Sequence, residues 1–193
     1  MHSFFFAKVQ QFSTIQSVWS ALKDALRGTE ADYTKISLKR AIFLLAVPMI
    51  LELVMESTFA VVDIFFVGKL GPTAVAAVGL TETYLFLLYS IAGGLATAVT
   101  AIVARRIGEK NFDGAGLAAV QSVFIGMLAS VPFALAGIFY SKDLLLLMGA
   151  DEQVIREGQN YTIWMLGGNA VIILLFVING IFRGAGDAAI AMR

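Results

Sequence analysis

The order of apolar and polar positions divides the chain into four long apolar stretches joined by short polar ones. They cover residues 41–67, 73–103, 115–140 and 161–182. Each is long enough for a membrane-spanning helix, which takes about 20 predominantly apolar residues. As a helix the first would be roughly 40 Å long, more than a hydrocarbon core of roughly 30 Å, so tilt or a bend at Pro48 is expected. The second is too long for one upright span and too short for two of about 20 residues with a turn. It reads as one tilted helix, loosened at Gly93-Gly94. Connections fall at 68–72, at RRIGEKNFDG (105–114), at 141–159 with its short amphipathic piece DLLLLMGA, and at RGAGD (183–187). The expected fold is an all-α integral membrane protein with about four transmembrane helices, and residues 188–192 would open a fifth.

Ahead of the spans lies an arm, residues 1–38. Val9, Phe12, Ile15, Trp19, Leu22 and Leu26 recur at three- and four-residue spacing, with Lys8, Lys23 and Arg27 nearby. That is an amphipathic helix, and it suits either a membrane-surface anchor or a packing helix. The apolar run from Phe4 to Ala7 is too short for a secretory signal.

Composition supports the membrane reading. Of 193 residues 59% are hydrophobic and 15% charged, against about 25% charged in a soluble domain. The net charge of zero points to no nucleic-acid partner. Cysteine is absent, which removes disulfides, thiol catalysis and cysteine metal sites, and the single histidine, His2, cannot build a histidine site alone. With four spans, eleven of the fourteen Lys and Arg fall on the side of the N-terminus and three (Lys69, Lys142, Arg156) on the other. The positive-inside rule then places the N-terminus in the cytoplasm, for a multi-pass protein of the inner (plasma) membrane.

Charge inside the spans is scarce, so each case matters. Glu52, Glu56 and Asp63 lie in the first stretch. At about 100° per residue, Glu52 to Glu56 advances roughly 40° and Glu56 to Asp63 returns roughly 20°. The three form one stripe about 16 Å long. Lipid cannot solvate such a stripe; an aqueous cavity or protein-lined groove can. Carboxylates there could carry protons or ligate a hard cation such as Na+. Otherwise they would bond to basic side chains of neighbouring helices, and the spans offer no evident one. Glu82, Gln121, Asn169 and Asn179 are possible cavity-lining residues, though interhelical hydrogen bonds account for the amides equally well. Gly93, Gly94, Ala96 and Ala98 suit close helix packing, and Tyr161 and Trp164 suit interfacial anchoring. RGAGD lacks the spacing of a phosphate-binding loop. No nucleophile, base and oxyanion-hole set is visible, so no enzyme and no cofactor are expected.

The phrase AVPMILELVMESTFAVVDIFFVGKLG, followed by AVAAVGL, resembles the opening of the multidrug and toxic compound extrusion (MATE) transporters. The likeness continues through IVARRIGEKNFDGA, LLLLMGADEQV and VINGIFRGAGD and covers about residues 39–193. It implies that Asp63 matches the first-helix aspartate associated with proton or sodium coupling, so a metal role would fall to Asp63 if Na+ is the coupling ion. Glu52 and Glu56 stand where many relatives carry neutral polar residues. Members of that family have twelve spans in two six-helix lobes, so the resemblance implies a partial N-terminal lobe, truncated as a fifth helix begins. Transport would require the second lobe. The implied function is H+- or Na+-coupled antiport of small organic, often cationic compounds. A non-transporting four-helix assembly or regulatory protein, and a lipid-precursor flippase, are the alternatives.

Overall fold

The computed structural model describes residues 37–192, all helical apart from short turns. The N-terminal arm and its amphipathic helix lie outside the described residues. In chain order the helices are α1 (Leu38–Gly68), α2 (Pro72–Gly108), α3 (Phe112–Leu147), α4 (Glu152–Gly167), α5 (Ala170–Ala185) and the short α6 (Ala188–Met192). Among the described residues four stretches are long and apolar enough to cross a membrane: α1, α2, α3, and α4 with α5 together. The described residues are thus all-α, with four membrane-length helical stretches. The described residues form two compact units, 37–55 with 186–192, and 56–185.

Local chemistry sets most helix ends. Gly71, at φ 109°, turns the chain, and Pro72 opens α2 at a position whose N–H would have no helical partner. Arg105 and Arg106 sit in the last turn of α2, where the helix dipole favours cations. Both pair with Glu109, at 2.9 and 3.4 Å. Asn111 then caps α3, its side chain accepting from the Gly114 N–H at 2.8 Å.

Two boundaries differ from the sequence expectation. DLLLLMGA is no separate piece: α3 runs on through a kink at Tyr140 (φ −122°, ψ 15°) to Leu147. It stops in a Schellman turn, with Gly149 N–H on Leu146 O (2.9 Å) and Ala150 N–H on Leu145 O (3.0 Å), and Gly149 at φ 85°. Asp151 caps α4 by accepting from Val154 N–H at 2.8 Å, so the connection is four residues long. Lys142, Asp143, Glu152 and Arg156 look like loop residues by hydropathy but continue the helices. The fourth span is in turn broken at Gly167-Gly168-Asn169 into α4 and α5.

Within the larger unit, α2 is the spine. Leu88, Ala92, Val99 and Val103 of α2 pack with Ile173 and Val177 of α5. Lipid tails are as apolar as these side chains, so close packing and interhelical hydrogen bonds hold such a bundle rather than transfer from water. Small residues allow the approach. A Cβ on Gly180 would lie 2.6 Å from Ala96 O, and one on Gly184 2.7 Å from Thr100 O. Thr100 Oγ1 donates to Gly180 O at 2.9 Å. Ala96 therefore serves packing as expected, with Thr100 one turn on, whereas Gly93 and Gly94 have open space where a side chain would be. On the far side, Gly158 meets Ala77 and Gly137 meets Leu166 with no room for a methyl group.

Candidate functional site: an acid and tyrosine cluster

The site is built from the part of α1 after Met55, from α2 and from α4, all within the unit 56–185. Glu56 and Asp63 are seven residues apart on α1, and Glu82 and Tyr89 are seven apart on α2. Two helical turns bring each pair back to within roughly 20° of one direction. The turn at 69–71 leads α1 into α2, and side chains of the two helices come within electrostatic reach of one another: Glu82 of the Asp63 charge, and Tyr89 of Glu82 and Glu56.

The third wall is Tyr161 of α4, half-buried and within reach of Glu82, Asp63 and Tyr89. Its position is set one residue away. Thr81 and Thr162 are both fully buried and their hydroxyls meet at 2.8 Å. Thr81 Oγ1 also lies 2.8 Å from Ala77 O, and Thr162 Oγ1 3.2 Å from Gly158 O, where each can donate back along its own helix. Tyr84 adds a second tie, donating to Leu144 O at 2.9 Å. Because Glu82 follows Thr81 and Tyr161 precedes Thr162, this contact fixes carboxylate and phenol on the same side of the α2–α4 seam. Tyr89 is itself held by stacking on Phe176, with ring centroids 6.0 Å apart.

Glu56, Asp63 and Glu82 are exposed in this unit. The α1 surface around them is apolar: Phe59 is 78% exposed and Val61 66%. Beyond Asp63, Lys69 Nζ lies over the rings of Phe65 and Phe66, at 4.5 and 4.9 Å. Among the described residues no three His, Asp or Glu side chains close into a metal-binding set. The arrangement can attract cations, exchange protons between carboxylates and water, and offer tyrosine hydroxyls and ring faces to a bound group.

The remaining sequence candidates are placed elsewhere. Glu52 is half-buried on the part of α1 that belongs to the other unit. Gln121 is exposed on α3, and Asn179 is half-buried on α5. Asn169 is fully buried at the α4–α5 break, where its amide nitrogen donates to Ser130 O at 3.1 Å and Leu166 O at 2.5 Å. Sequence reasoning assigned Tyr161 to an interfacial anchor and passed over Tyr89. The seven-residue spacing from Glu82 to Tyr89 was the available signal for the second; nothing along the chain signalled the first.

Four stretches long and apolar enough to cross a membrane define an integral membrane protein. The MatE family model matches residues 48–193, and the chain belongs to that family, the multidrug and toxic compound extrusion transporters. It is 30% identical to the "Probable multidrug resistance protein YoeA" of Bacillus subtilis, over 80% of this chain and 34% of the relative. It is 25% identical to the "FAD transporter" of Shewanella oneidensis, over 77% of this chain and 33% of that one. Its structure is similar to that of a MOP superfamily transporter from Pyrococcus furiosus, with a TM-score of 0.74 and 31% identity, over 88% of this chain and 36% of the other. The chain spans about a third of the length of the relatives it matches.

Proposed function

We propose that these residues form the first part of a secondary active exporter that extrudes organic cations in exchange for H+ or Na+. The observation that supports the reading is the cluster of acids and tyrosines from three helices, in which Glu82 and Tyr161 lie within reach of the Asp63 charge and Tyr89 within reach of Glu56. Two carboxylates within reach of each other repel when both are ionised. A proton or Na+ on Asp63 relieves that repulsion and lets the helices draw together; its loss favours separation and readmits a positively charged substrate. Ion and substrate thereby compete for the same negative charge, which is the coupling an antiporter needs. By its place in the sequence of α1, Glu52 would add an acid on the cytoplasmic side, the side given by the excess of Lys and Arg, and attract a cationic substrate there. Gln121 and Asn179 would add polar contacts to a cavity completed by the other lobe. Alternating access requires two units moving about a central site, so the cycle would need a second lobe beside this one.

The substrate class follows from charge. A relative is named as a FAD transporter, and FAD is an anion; three carboxylates would repel such a substrate and attract a lipophilic cation. The test is efflux of a fluorescent organic cation from energised everted vesicles containing the whole transporter. Asp63→Asn should abolish gradient-driven transport while the protein remains present at parental amount. Undiminished efflux would overturn the coupling role, and replacing the proton gradient with a sodium gradient identifies the ion.

A further inference from the structure

We propose that the corner between α2 and α3, residues 105–112, binds the phosphate headgroup of an anionic phospholipid of the cytoplasmic leaflet, with Lys110 as its central cation. The proposal uses the orientation given by Lys and Arg and is independent of the transport reading.

Two helix ends are built alike but differ at one residue. After α3, Gly149 N–H bonds Leu146 O, Ala150 N–H bonds Leu145 O, and Gly149 takes φ 85°. After α2 the same pair of bonds runs from Lys110 N–H to Ile107 O and from Asn111 N–H to Arg106 O, both at 2.9 Å. Lys110 takes φ 57°. This position of a Schellman turn is left-handed and usually glycine, because a Cβ is strained there. Among the described residues, the other three positions with positive φ are all glycines. Lys110 thus holds a strained conformation where glycine would suit the turn better. What lysine adds and glycine lacks is a charge, and strain retained in this way points to a use for it.

That charge stands among others. Arg105, Arg106 and Lys110 are exposed around the end of α2, and Arg105 and Arg106 share the single carboxylate of Glu109. Arg183, in the last turn of α5, belongs to the same end of the unit, because Gly184 seats directly on Thr100 and Val103 of α2. Four basic residues there stand against two acids, Glu109 and Asp113. At the other end of the unit the balance reverses: Lys69, Lys142 and Arg156 stand against Asp143, Asp151, Glu152 and Glu157. The positive-inside rule places the basic end in the cytoplasm, where the facing leaflet carries anionic lipid. An apolar surface adjoins the charges. Phe112 is 67% exposed, and the exposed apolar side chains of α3 continue through Leu117, Val120 and Phe124. A phosphate at Lys110 would accept charge-assisted hydrogen bonds, while the acyl chains attached to it run along α3. A free phosphate would use only the first half of that surface, so the lipid is the better fit.

The test is thermal unfolding of the full 193-residue chain, followed by tryptophan fluorescence in neutral detergent. Phosphatidylglycerol is titrated in, with phosphatidylcholine as the uncharged reference. Phosphatidylglycerol should raise the midpoint further than phosphatidylcholine does. Lys110→Gly relieves the left-handed strain, so its midpoint without lipid should rise. The phosphatidylglycerol concentration for half-maximal stabilisation should meanwhile increase about fivefold, as loss of one cation near an anionic surface implies. The opposite signs separate a lost lipid contact from a damaged fold. Lys110→Arg should keep the parental lipid response, and so should Lys142→Gln at the other end of the unit. An unchanged lipid response in Lys110→Gly, or an equal loss in Lys142→Gln, would overturn the site. A lipid-free midpoint that does not rise would remove the strain on which the assignment rests. Equal stabilisation by soluble glycerol phosphate would overturn the lipid in favour of a free phosphate. No transport is measured, so failure here is distinct from failure of the efflux test.

Discussion

Asp63, Glu82 and Tyr161 come from three different helices, and the sequence placed only Asp63 among the coupling residues, with Glu82 apart from it as a cavity-lining candidate. The stripe formed by Glu56 and Asp63 was legible because helical periodicity alone sets which residues share a face. That Tyr161 stands across from them was not legible, since tyrosine near a span end is equally suited to the lipid interface. A second residue-scale effect lies outside the membrane. The Arg105 side chain hydrogen-bonds Glu109, and with the charges of Arg105 and Arg106 holds its carboxyl below the ordinary carboxylate range. A depressed folded-state pKa contributes stability above the unfolded value and loses it as pH falls through the folded one. Arg105→Ala should move the Glu109 titration up toward the ordinary range, as read by NMR of carboxyl-labelled protein. The pair is exposed, so its effect on overall stability should be small.

Among the elements, existence was easier to read than extent. Long apolar runs revealed four membrane-length helices, while charged residues at 142–143 and 152–157 hid where α3 ends and α4 begins. The break at Gly167-Gly168-Asn169 was hidden for the opposite reason, as it lies within a stretch apolar on both sides. Which small residues matter also needs three dimensions. A Cβ on Gly180 meets the Ala96 carbonyl oxygen at 2.6 Å and its Cα at 3.0 Å, backbone atoms that cannot step aside without moving a helix. Gly180→Ala should therefore destabilise by about 1–3 kcal/mol, as overpacking does. Gly116 is exposed on α3 with nothing within 4 Å of an added Cβ. Gly116→Ala should stabilise, by up to about 1 kcal/mol of helix propensity. Unfolding of both variants in detergent micelles, beside the parent, checks the opposite signs.

For the molecule as a whole, the uneven distribution of Lys and Arg gives the orientation a direct test. With the N-terminus in the cytoplasm, the α2–α3 connection is cytoplasmic and the α3–α4 connection external. In intact cells, an impermeant thiol reagent should label Ala150→Cys and spare Lys110→Cys until the membrane is opened. Family membership was legible because several phrases occur in order, a signal that survives at about 30% identity when isolated motifs do not. Substrate choice was not, because polyspecific binding surfaces are lined by ordinary apolar residues that carry no signature along the sequence. The threonine contact between α2 and α4 has a consequence of another kind. Slipping α4 by a single residue would carry Tyr161 about 1.5 Å along the axis and swing it about 100° around it, off the acidic face. Thr81 and Thr162 thus index one helix against the other like a key in its slot, admitting one rotational phase and so deciding which side chains can meet at all.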